Sequence, residues 1–375
     1  MKNLLVIDIW HGVDGGASKK TLYEELGKYF NLTFVSYQTP RYVNIINLLR
    51  TFTPAIRQWK KKKARLDETI SKYPSTFLGM TGNLNKKIRH MDINQQDAIM
   101  QIGSLFGPVE CPNDLPYFSY SDSTVKNPAA SWPDWIPDDF STFSRQWYEL
   151  ETKYFNRMTK VLTYSDFVKK TLVNHYGIDR EKISIVGSAL KMTEDVKIDW
   201  QNKKNKILFV STDFKRKGGY FLSEIFARVV SEHSEAQLTI AGNIPDDFAP
   251  NNSHLIKCIG AVSKEALKKE YATASVLIHP ALYDPFPSVI LEAANYETPT
   301  VASNVCGIPE MIIEGKTGFC VDKDNISGFA NHIVRLLKNP DDNKRLGVNA
   351  KKRVRTTFHP EIVASKLSEI ILKNL

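Results

Sequence analysis

The residues best suited to chemistry lie in the segment HPALYDPFPSVILEAANYETPTVASNVCGIPEMIIEGKTGFCV, residues 279 to 321. An apolar run ends at its start, residues 284 to 287 form a non-helical turn, and Pro287 stands at the entry to a helical pattern, where a missing N–H does no harm. This predicts a loop that opens onto a helix N-terminus at the carboxyl edge of a sheet, where open α/β folds bind ligands. The free N–H groups of Ser288 and Val289, together with the helix dipole, suit a phosphate there.

Two carboxylates flank this helix start. Glu292 comes four residues after Ser288 and therefore lies on the same helical face one turn deeper, where it can accept hydrogen bonds from the two vicinal hydroxyls of a ribose. Asp284 lies eight residues before Glu292, in the turn. An isolated Asp and Glu at this spacing are usually surface residues, so the surrounding pattern is what favours a site.

A cationic loop follows the apolar run ILFVS at residues 207 to 211. Lys215, Arg216 and Lys217 precede Gly218 and Gly219, and an amphipathic pattern then begins. Cations at this position can neutralise a pyrophosphate, and two glycines allow the backbone to approach it. The alternative interpretation is an ordinary solvated loop.

A glycine-rich turn, with Gly12, Gly15 and Gly16, follows the first predicted strand. It precedes a helical pattern but lacks the G-x-G-x-x-G spacing, so nothing here indicates a nicotinamide nucleotide.

Together these stretches resemble family 4 of the retaining glycosyltransferases, which has the GT-B fold. The family signature is two Glu separated by seven residues around a Phe-Gly turn, followed by Pro-x-Val-x-Ser and Gly-x-Pro-Glu. The residues of this chain that match the pattern are Asp284, Phe286, Glu292, Pro299, Val301, Ser303, Gly307, Pro309 and Glu310, and then Gly315, Thr317 and Gly318. The resemblance covers most of the chain and is sharpest over residues 206 to 322.

The resemblance implies roles for individual residues. Glu292 would bind the donor ribose, Asp284 the hydroxyls of the transferred sugar, and Lys217 the donor phosphates. Gly15 and Gly16 would face the phosphates and the acceptor. The complete predicted substrate-binding set is Gly15, Gly16, Arg216, Lys217, Asp284, Phe286, Pro287, Ser288, Val289 and Glu292, and the predicted catalytic set is Asp284, Lys217 and Asp122.

Three departures from the family pattern concern the donor site. Asp284 is one methylene shorter than the usual Glu, and Pro287 replaces a Gly and so removes a backbone donor. The family's Arg before the Lys-Gly pair falls on Ser211 or Thr212, and Arg216 is the candidate to supply that charge from another position. We therefore expect ribose contacts to be kept better than sugar contacts.

No metal and no cofactor are expected. The one Asp-x-Asp, Asp322 and Asp324, lies in a loop that the resemblance already explains. Lys217, Arg216 and helix N–H groups would stabilise the leaving diphosphate in place of a metal. Asp122, at a predicted strand end, either meets the acceptor or reaction centre or simply forms a turn.

Strand and helix patterns alternate in both halves, which predicts an α/β protein with parallel sheets. Six strand-like runs precede the polar stretch at 191 to 205, which we interpret as a linker, and six follow it. The resemblance implies a GT-B architecture, with two Rossmann-like domains whose parallel sheets face a central cleft. The predicted parts are an acceptor-binding domain at 1–195, a nucleotide-sugar-binding domain at 200–357 and a C-terminal helix at 358–375 that crosses back to the first domain.

Composition limits the location and the partners. The chain has 375 residues, with 50 Lys plus Arg against 41 Asp plus Glu, a net charge of +9 that favours anionic partners. Four scattered cysteines indicate neither a disulfide framework nor a zinc site. No apolar run approaches the ~18 residues of a spanning helix. These observations predict a cytoplasmic protein.

One segment suggests a membrane surface. Six of the nine residues 57 to 65 are basic, and an apolar group precedes them, consisting of Val43, Ile45, Ile46, Leu48 and Leu49. Such a segment can lie on anionic lipid, peripheral to the inner face of a membrane. A solvated helix whose apolar side packs on its own domain is the alternative.

The function predicted from the resemblance is retaining, metal-independent transfer of a hexose-type sugar from a nucleoside-diphosphate sugar to a glycan or lipid-linked acceptor, in bacterial-type surface polysaccharide or glycoconjugate synthesis. The alternatives are a non-catalytic nucleotide-sugar-binding relative and a GT-B epimerase, which would need an acid/base pair that the sequence does not display. No nucleic-acid partner is expected, since no basic motif is interleaved with aromatics. P-loop, G-x-S-x-G and HExxH motifs are absent. Donor base, donor sugar and acceptor are left open.

Overall fold

The computed structural model describes residues 1–8, 17–37, 39–40, 42–43, 45, 49, 51–191, 198–250 and 253–375. Gly15 and Gly16 fall outside these residues. The chain divides into two compact units, Met1–Gly187 together with Val363–Leu375, and Ser188–Ile362.

The first unit contains a six-stranded parallel sheet. Its strands are β1 (Lys2–Ile7), β2 (Phe30–Val35), β3 (Ala98–Ile102), β4 (Tyr117–Ser121), β5 (Lys160–Thr163) and β6 (Ile183–Ile185), in the order β2-β1-β3-β4-β5-β6. Its helices are α1 (Ala17–Leu26), α2 (Ile56–Thr69), α3 (Pro74–Arg89), α4 (Lys126–Ser131), α5 (Ser144–Arg157) and α6 (Asp166–Tyr176). The run Leu4–Ile7 is completely buried, as expected for a parallel strand covered on both faces.

The second unit repeats this design. Its strands are β7 (Lys206–Ser211), β8 (Gln237–Gly242), β9 (Ile256–Gly260), β10 (Val276–His279), β11 (Thr300–Ser303) and β12 (Gly318–Val321), in the parallel order β12-β11-β10-β7-β8-β9. Its helices are α7 (Leu222–Glu232), α8 (Lys264–Thr273), α9 (Ser288–Asn295), α10 (Ile308–Met311), α11 (Ile326–Lys338) and α12 (Pro340–Thr357). The prediction of two α/β halves with parallel sheets is confirmed.

The boundaries between the units differ from the predicted domain limits at 195 and 357. Leu190 belongs to the buried core of the second unit, and its N–H donates to the carbonyl of Phe358 at 3.0 Å, which is why Ser188 and its successors group with that unit. At the other end, the terminal helix α13 (Pro360–Lys373) begins in the second unit, and the part from Val363 onward groups with the first.

Part of the predicted linker is also structured. Lys203 is buried within the second unit, where its ammonium donates to the carbonyl of Ala274 at 2.8 Å and to the hydroxyl of Thr298 at 2.6 Å. The charge-rich composition concealed this role, because a lysine is buried only when such acceptors surround it. Residues 192–197 of the predicted linker lie outside the described residues.

None of the described helices has the length and apolar character needed to cross a bilayer.

Candidate functional site

In the second sheet, the direction in which successive strands are added reverses between β7 and β10. From β7 the chain continues outward to β8 and β9, whereas β10 is followed on its other side by β11 and β12. In an open parallel sheet this switch point leaves a crevice at the carboxyl ends of the strands, and ligands bind there. The cationic loop follows β7 and the Asp284 turn follows β10, so both predicted loops start at the switch point. They are joined by a hydrogen bond from the N–H of Leu282 to the carbonyl of Arg216, at 2.9 Å.

The Asp284 carboxylate is the centre of a buried charged cluster. Its Oδ2 lies 3.2 Å from His279 Nε2, 3.6 Å from Arg216 Nη1 and 3.8 Å from Lys217 Nζ. Burial alone would raise the pKa of Asp284, but the hydrogen bond from His279 and the charges of the two cations outweigh it and hold the pKa below its usual value. Asp284 is therefore an ionised carboxylate beneath the crevice.

His279 has a role that the sequence analysis missed. Its ring is completely buried, and burial lowers its pKa, which favours the neutral form. A neutral ring facing a carboxylate carries its proton on the near nitrogen, so Nε2–H donates to Asp284. The other nitrogen, Nδ1, has no hydrogen-bond partner among the described residues. The available signal was a histidine at the last position of an apolar strand, five residues before Asp284.

Arg216 is committed to internal contacts. The side chain is buried, with Nε donating to Asp213 Oδ2 at 2.9 Å and Nη1 donating to the carbonyl of Tyr283 at 2.8 Å. It thus links the loop after β7 to the loop after β10. The sequence analysis predicted that Arg216 faces a phosphate; the structure adds this connecting role, and the phosphate contact stays a prediction.

Lys217 is the cation of this cluster whose N–H donors make no hydrogen bond to the described residues. In the described part of the chain no acceptor lies within hydrogen-bond distance of its ammonium, and its one ion pair, to Asp284, is 3.8 Å long. Burial lowers the pKa of Lys217, and the opposite charge of Asp284 partly restores it. An ammonium in this position is poorly solvated and is well suited to an anionic ligand.

The two glycines after Lys217 are required by packing. Gly218 has φ +76°, and a Cβ there would lie 1.8 Å from the carbonyl oxygen of Pro280. A Cβ on Gly219 would lie 2.5 Å from the ring of Phe214. Within the unit, Gly218 allows the loop after β10 to pack closely on the loop after β7, and Gly219 makes room for a ring of its own loop. The approach of a ligand to these glycines stays a prediction.

The helix N-terminus lies where the sequence predicted it. Pro287, with φ −70° and ψ 112°, precedes the first residue of α9, Ser288, which is exposed, while Val289 is buried. The first amide groups of a helix have no acceptor within it, so those of Ser288 and Val289 remain for a ligand. Phe286 is half-buried and its ring packs edge-on against Phe358, with the centroids 5.9 Å apart.

Glu292 lies one turn into α9 and is half-buried. Its Oε2 accepts a hydrogen bond of 2.8 Å from the hydroxyl of Tyr271, whose ring stacks on Tyr296. Burial raises the pKa of Tyr271, so the phenol remains a neutral donor. Tyr271 therefore fixes one oxygen of Glu292 and leaves Oε1 to other partners. No local pattern pointed to Tyr271, because it lies on a different helix, α8.

In the first unit, Asp122 is exposed and directly follows β4. That sheet also has a switch point, between β1 and β3, and the predicted Gly15 and Gly16 follow β1 in the undescribed stretch. Across the described ranges of both units, no group of three or more His, Cys, Asp or Glu side chains is arranged to hold a metal ion.

Comparison with known proteins shows similarity to glycosyltransferases. Residues 191–353 match the family model described as Glycosyl transferases group 1. An uncharacterised glycosyltransferase of Methanocaldococcus jannaschii is 27% identical over 227 residues, covering 55% of this chain and 58% of that protein. The capsular polysaccharide biosynthesis glycosyltransferase CapM of Staphylococcus aureus is 22% identical over 231 residues, covering 56% and 61%. The chain thus spans about three fifths of these curated relatives.

Among solved structures, Anabaena HepE in complex with UDP superposes with a TM-score of 0.65 at 14% identity, covering 100% of both chains. This similarity, together with the two six-stranded parallel sheets, identifies the fold as GT-B.

Proposed function

We propose that this chain, in which residues 191–353 match the family model of glycosyl transferases group 1, transfers a hexose from a nucleoside-diphosphate sugar to a glycan or lipid-linked acceptor, with retention of configuration and without a metal. The observation that carries the proposal is the convergence of the Lys217 ammonium, the N-terminus of α9 and Glu292 in the second unit, with the loop of Lys217 and the loop before α9 both starting at the switch point.

The nucleotide would be held through its ribose and its diphosphate, which are the same whatever the base. Glu292, with Oε2 fixed by Tyr271, presents Oε1 to the ribose hydroxyls. The diphosphate would accept hydrogen bonds from the amide groups of Ser288 and Val289 and from the ammonium of Lys217. Each of these contacts is independent of the base, which the described side chains do not specify.

Catalysis would consist of stabilising the departing diphosphate. As the glycosidic bond to the diphosphate breaks, negative charge grows on the leaving oxygen, and fixed donors aimed at it lower the barrier. Lys217 is partly buried, with 12% of its side chain exposed, and needs little reorganisation, because Asp284 and the surrounding loops hold it in place. Retention would follow if the acceptor attacks from the face that the diphosphate leaves.

Asp284 would recognise the sugar. His279, Arg216 and Lys217 all face its Oδ2, so Oδ1 is the oxygen that can accept from a sugar hydroxyl. The residue is one methylene shorter than the Glu of the resembled family, and the buried histidine behind it fixes the orientation of the shorter side chain.

The first unit would bind the acceptor, with Asp122 as the candidate contact and Gly15 and Gly16 in the loop after β1. The name of the CapM relative places that protein in capsular polysaccharide biosynthesis, and a corresponding role in surface polysaccharide or glycoconjugate synthesis, at the cytoplasmic face of the membrane, is our proposal for this chain. The non-catalytic relative and the epimerase remain the alternatives that experiment must distinguish.

The test is a panel of nucleoside-diphosphate sugars offered with soluble and lipid-linked glycans, in excess chelator. We expect acceptor-dependent release of nucleoside diphosphate and a glycosylated product, undiminished by chelation. Release that requires added manganese or magnesium would contradict the metal-free mechanism. Conversion of the donor to its epimer without an acceptor would identify an epimerase, and binding of the donor without turnover would identify a non-catalytic relative.

Glu292→Ala is expected to weaken the binding of free UDP, the diphosphate used as a probe, by ~1.5 to 3 kcal/mol, because a hydrogen bond to a charged group is lost. Tyr271→Phe should weaken UDP binding less, because this change removes only the hydrogen bond that orients Glu292. Tyr296→Phe is the matched control, because its buried hydroxyl has no hydrogen-bond partner among the described residues. Titration calorimetry measures all three, and unchanged affinity in Glu292→Ala would remove this residue from the ribose site.

A further inference from the structure

An unusual apolar stripe lies on the surface of the first unit. Tyr42, Ile45, Leu49, Phe52 and Ile56 are each between 52% and 70% exposed. They follow one another at intervals of three and four residues. Tyr42, Ile45 and Leu49 are helical, whereas the chain is not helical at residues 52–55, and Ile56 begins α2. We call these five residues the apolar stripe. Exposed large apolar side chains are normally scattered, so a periodic series marks an interaction surface.

The stripe differs from the group predicted from sequence. Of that group, Ile45 and Leu49 are exposed, Val43 is buried, and Ile46 and Leu48 lie outside the described residues. Val43 therefore packs on the unit itself, and Tyr42 lies with its hydroxyl over Gly79 of α3, while Ile45 and Leu49 are the more exposed members of this part of the stripe.

Cations adjoin the stripe. Ile56 is both the last stripe residue and the first residue of α2, and Lys60 lies one turn further along on the same face. The rings of Phe52 and Trp59 are in edge-on contact, with centroids 6.2 Å apart, which joins the stripe to this helix. The apolar and basic elements therefore form one continuous surface.

Most of these cations are unpaired. Within the described ranges, Arg57, Lys60, Lys61 and Lys62 are exposed and have no acidic partner within ion-pair distance. Further along α2 the cations are neutralised by Lys63–Asp67 at 2.5 Å and Arg65–Asp138 at 2.7 Å. The uncompensated charge is thus confined to the part of the helix next to the stripe.

A cavity continues from the same place. It has a volume of about 1170 Å³, and its lining includes Lys61, Lys62, Leu66, Leu78 and Phe143. Leu78 is itself 51% exposed. Asp138 and Asp139 also line the cavity, but Asp138 is paired with Arg65 and Asp139 accepts a hydrogen bond from the Tyr73 hydroxyl. Lys61 and Lys62 beside apolar side chains suit an amphiphile with a negatively charged head group.

We propose that the apolar stripe and residues 57–62 dock the first unit onto an anionic lipid bilayer, with the stripe at the boundary of head groups and acyl chains and the four cations among the phosphates. A second copy of this chain fits poorly, because a twofold contact through this surface would bring two sets of unpaired cations together. The role of this docking rests on the proposed function, since it would bring the enzyme close to a lipid-linked acceptor. The binding of the protein to the bilayer does not depend on catalysis.

Co-sedimentation with vesicles tests the proposal. One set is phosphatidylcholine alone and the other contains about a third phosphatidylglycerol, each at about 50 and about 500 mM salt. We expect the protein to pellet with the anionic vesicles at low salt and to be largely released at high salt. Replacing Lys60, Lys61 and Lys62 with Gln should reduce the partition coefficient at least tenfold, and the pair Leu49→Ser and Phe52→Ser should do the same.

The matched control is the pair Val348→Ser and Leu372→Ser, which are exposed apolar residues away from the stripe and should leave the partition unchanged. Equal binding to neutral vesicles, or full binding by both stripe and lysine variants, would overturn the proposal. So would a stripe-dependent dimer in sedimentation velocity, which would identify self-association instead. Transfer to the soluble and the lipid-linked glycans is measured in parallel: transfer without vesicle binding refutes this inference alone, and vesicle binding without transfer to either kind of acceptor refutes the proposed function alone.

Discussion

Replacing Lys217 with Ala is expected to lower turnover about 100- to 1,000-fold, the usual effect of removing one fixed donor from a developing anion. Its side chain is only 12% exposed and lies in the loop that begins at the switch point, and no acceptor among the described residues is within hydrogen-bond distance of its ammonium. The effect should fall mainly on kcat, because the charge on the leaving diphosphate is greatest in the transition state. Steady-state kinetics with the best donor of the panel measures it.

Lys215→Ala is the control for this prediction. Lys215 lies in the same loop two residues earlier and is exposed, so its removal changes net charge equally but leaves the Asp284 cluster intact. Asp284 retains His279 and Arg216 when Lys217 is lost, so the unit should still fold. Equal loss of activity in both variants would show that general positive charge, and not the position of Lys217, assists the reaction.

Gly218→Ala is expected to destabilise the second unit by about 3 kcal/mol or more, among the large effects for a single methyl group. Two costs combine: the left-handed backbone at φ +76°, and a Cβ 1.8 Å from the carbonyl oxygen of Pro280. Since the obstacle is backbone, a side-chain rotation cannot relieve it, and the two loops must separate. At about 2 to 4 °C per kcal/mol for a unit of this size, the melting transition should fall by about 6 to 12 °C.

Gly260→Ala separates the two costs. Gly260 also has a left-handed backbone, with φ +64°, but a Cβ there would meet nothing within 4 Å. Its replacement should therefore show the backbone cost alone, about 1 kcal/mol. Differential scanning calorimetry of the two variants compares them, and similar melting temperatures would show that the loops after β7 and β10 can move apart without penalty.

The sequence allowed the fold and the two site loops to be predicted because their signals are local. Strand periodicity located the twelve strands found in the described residues, and Pro287 with the following helical pattern located the start of α9. Both loops were assigned to strand ends, and parallel pairing then places strand ends at one edge of the sheet.

What the sequence did not reveal depends on contacts between distant residues. Tyr271 reaches Glu292 from another helix, and Arg216 contacts the carbonyl of Tyr283, sixty-seven residues further along the chain. Contacts between residues so far apart in the chain produce no spacing pattern in the sequence. Gly218 was given a ligand-related explanation because its actual neighbour, the Pro280 carbonyl, belongs to the loop after the adjacent strand.

The route of the chain through the two units affects the order in which the protein can fold. The second unit is one continuous stretch, Ser188–Ile362, whereas the first is interrupted by it and regains residues 363 to 375 only afterwards. Val363, Leu367 and Ile371 are completely buried in the finished protein. During synthesis the second unit can therefore fold before residues 363 to 375 of the first unit have been made. A chain that ended near residue 362 would contain the whole second unit but an incomplete first unit, although most of the first unit is synthesised earlier.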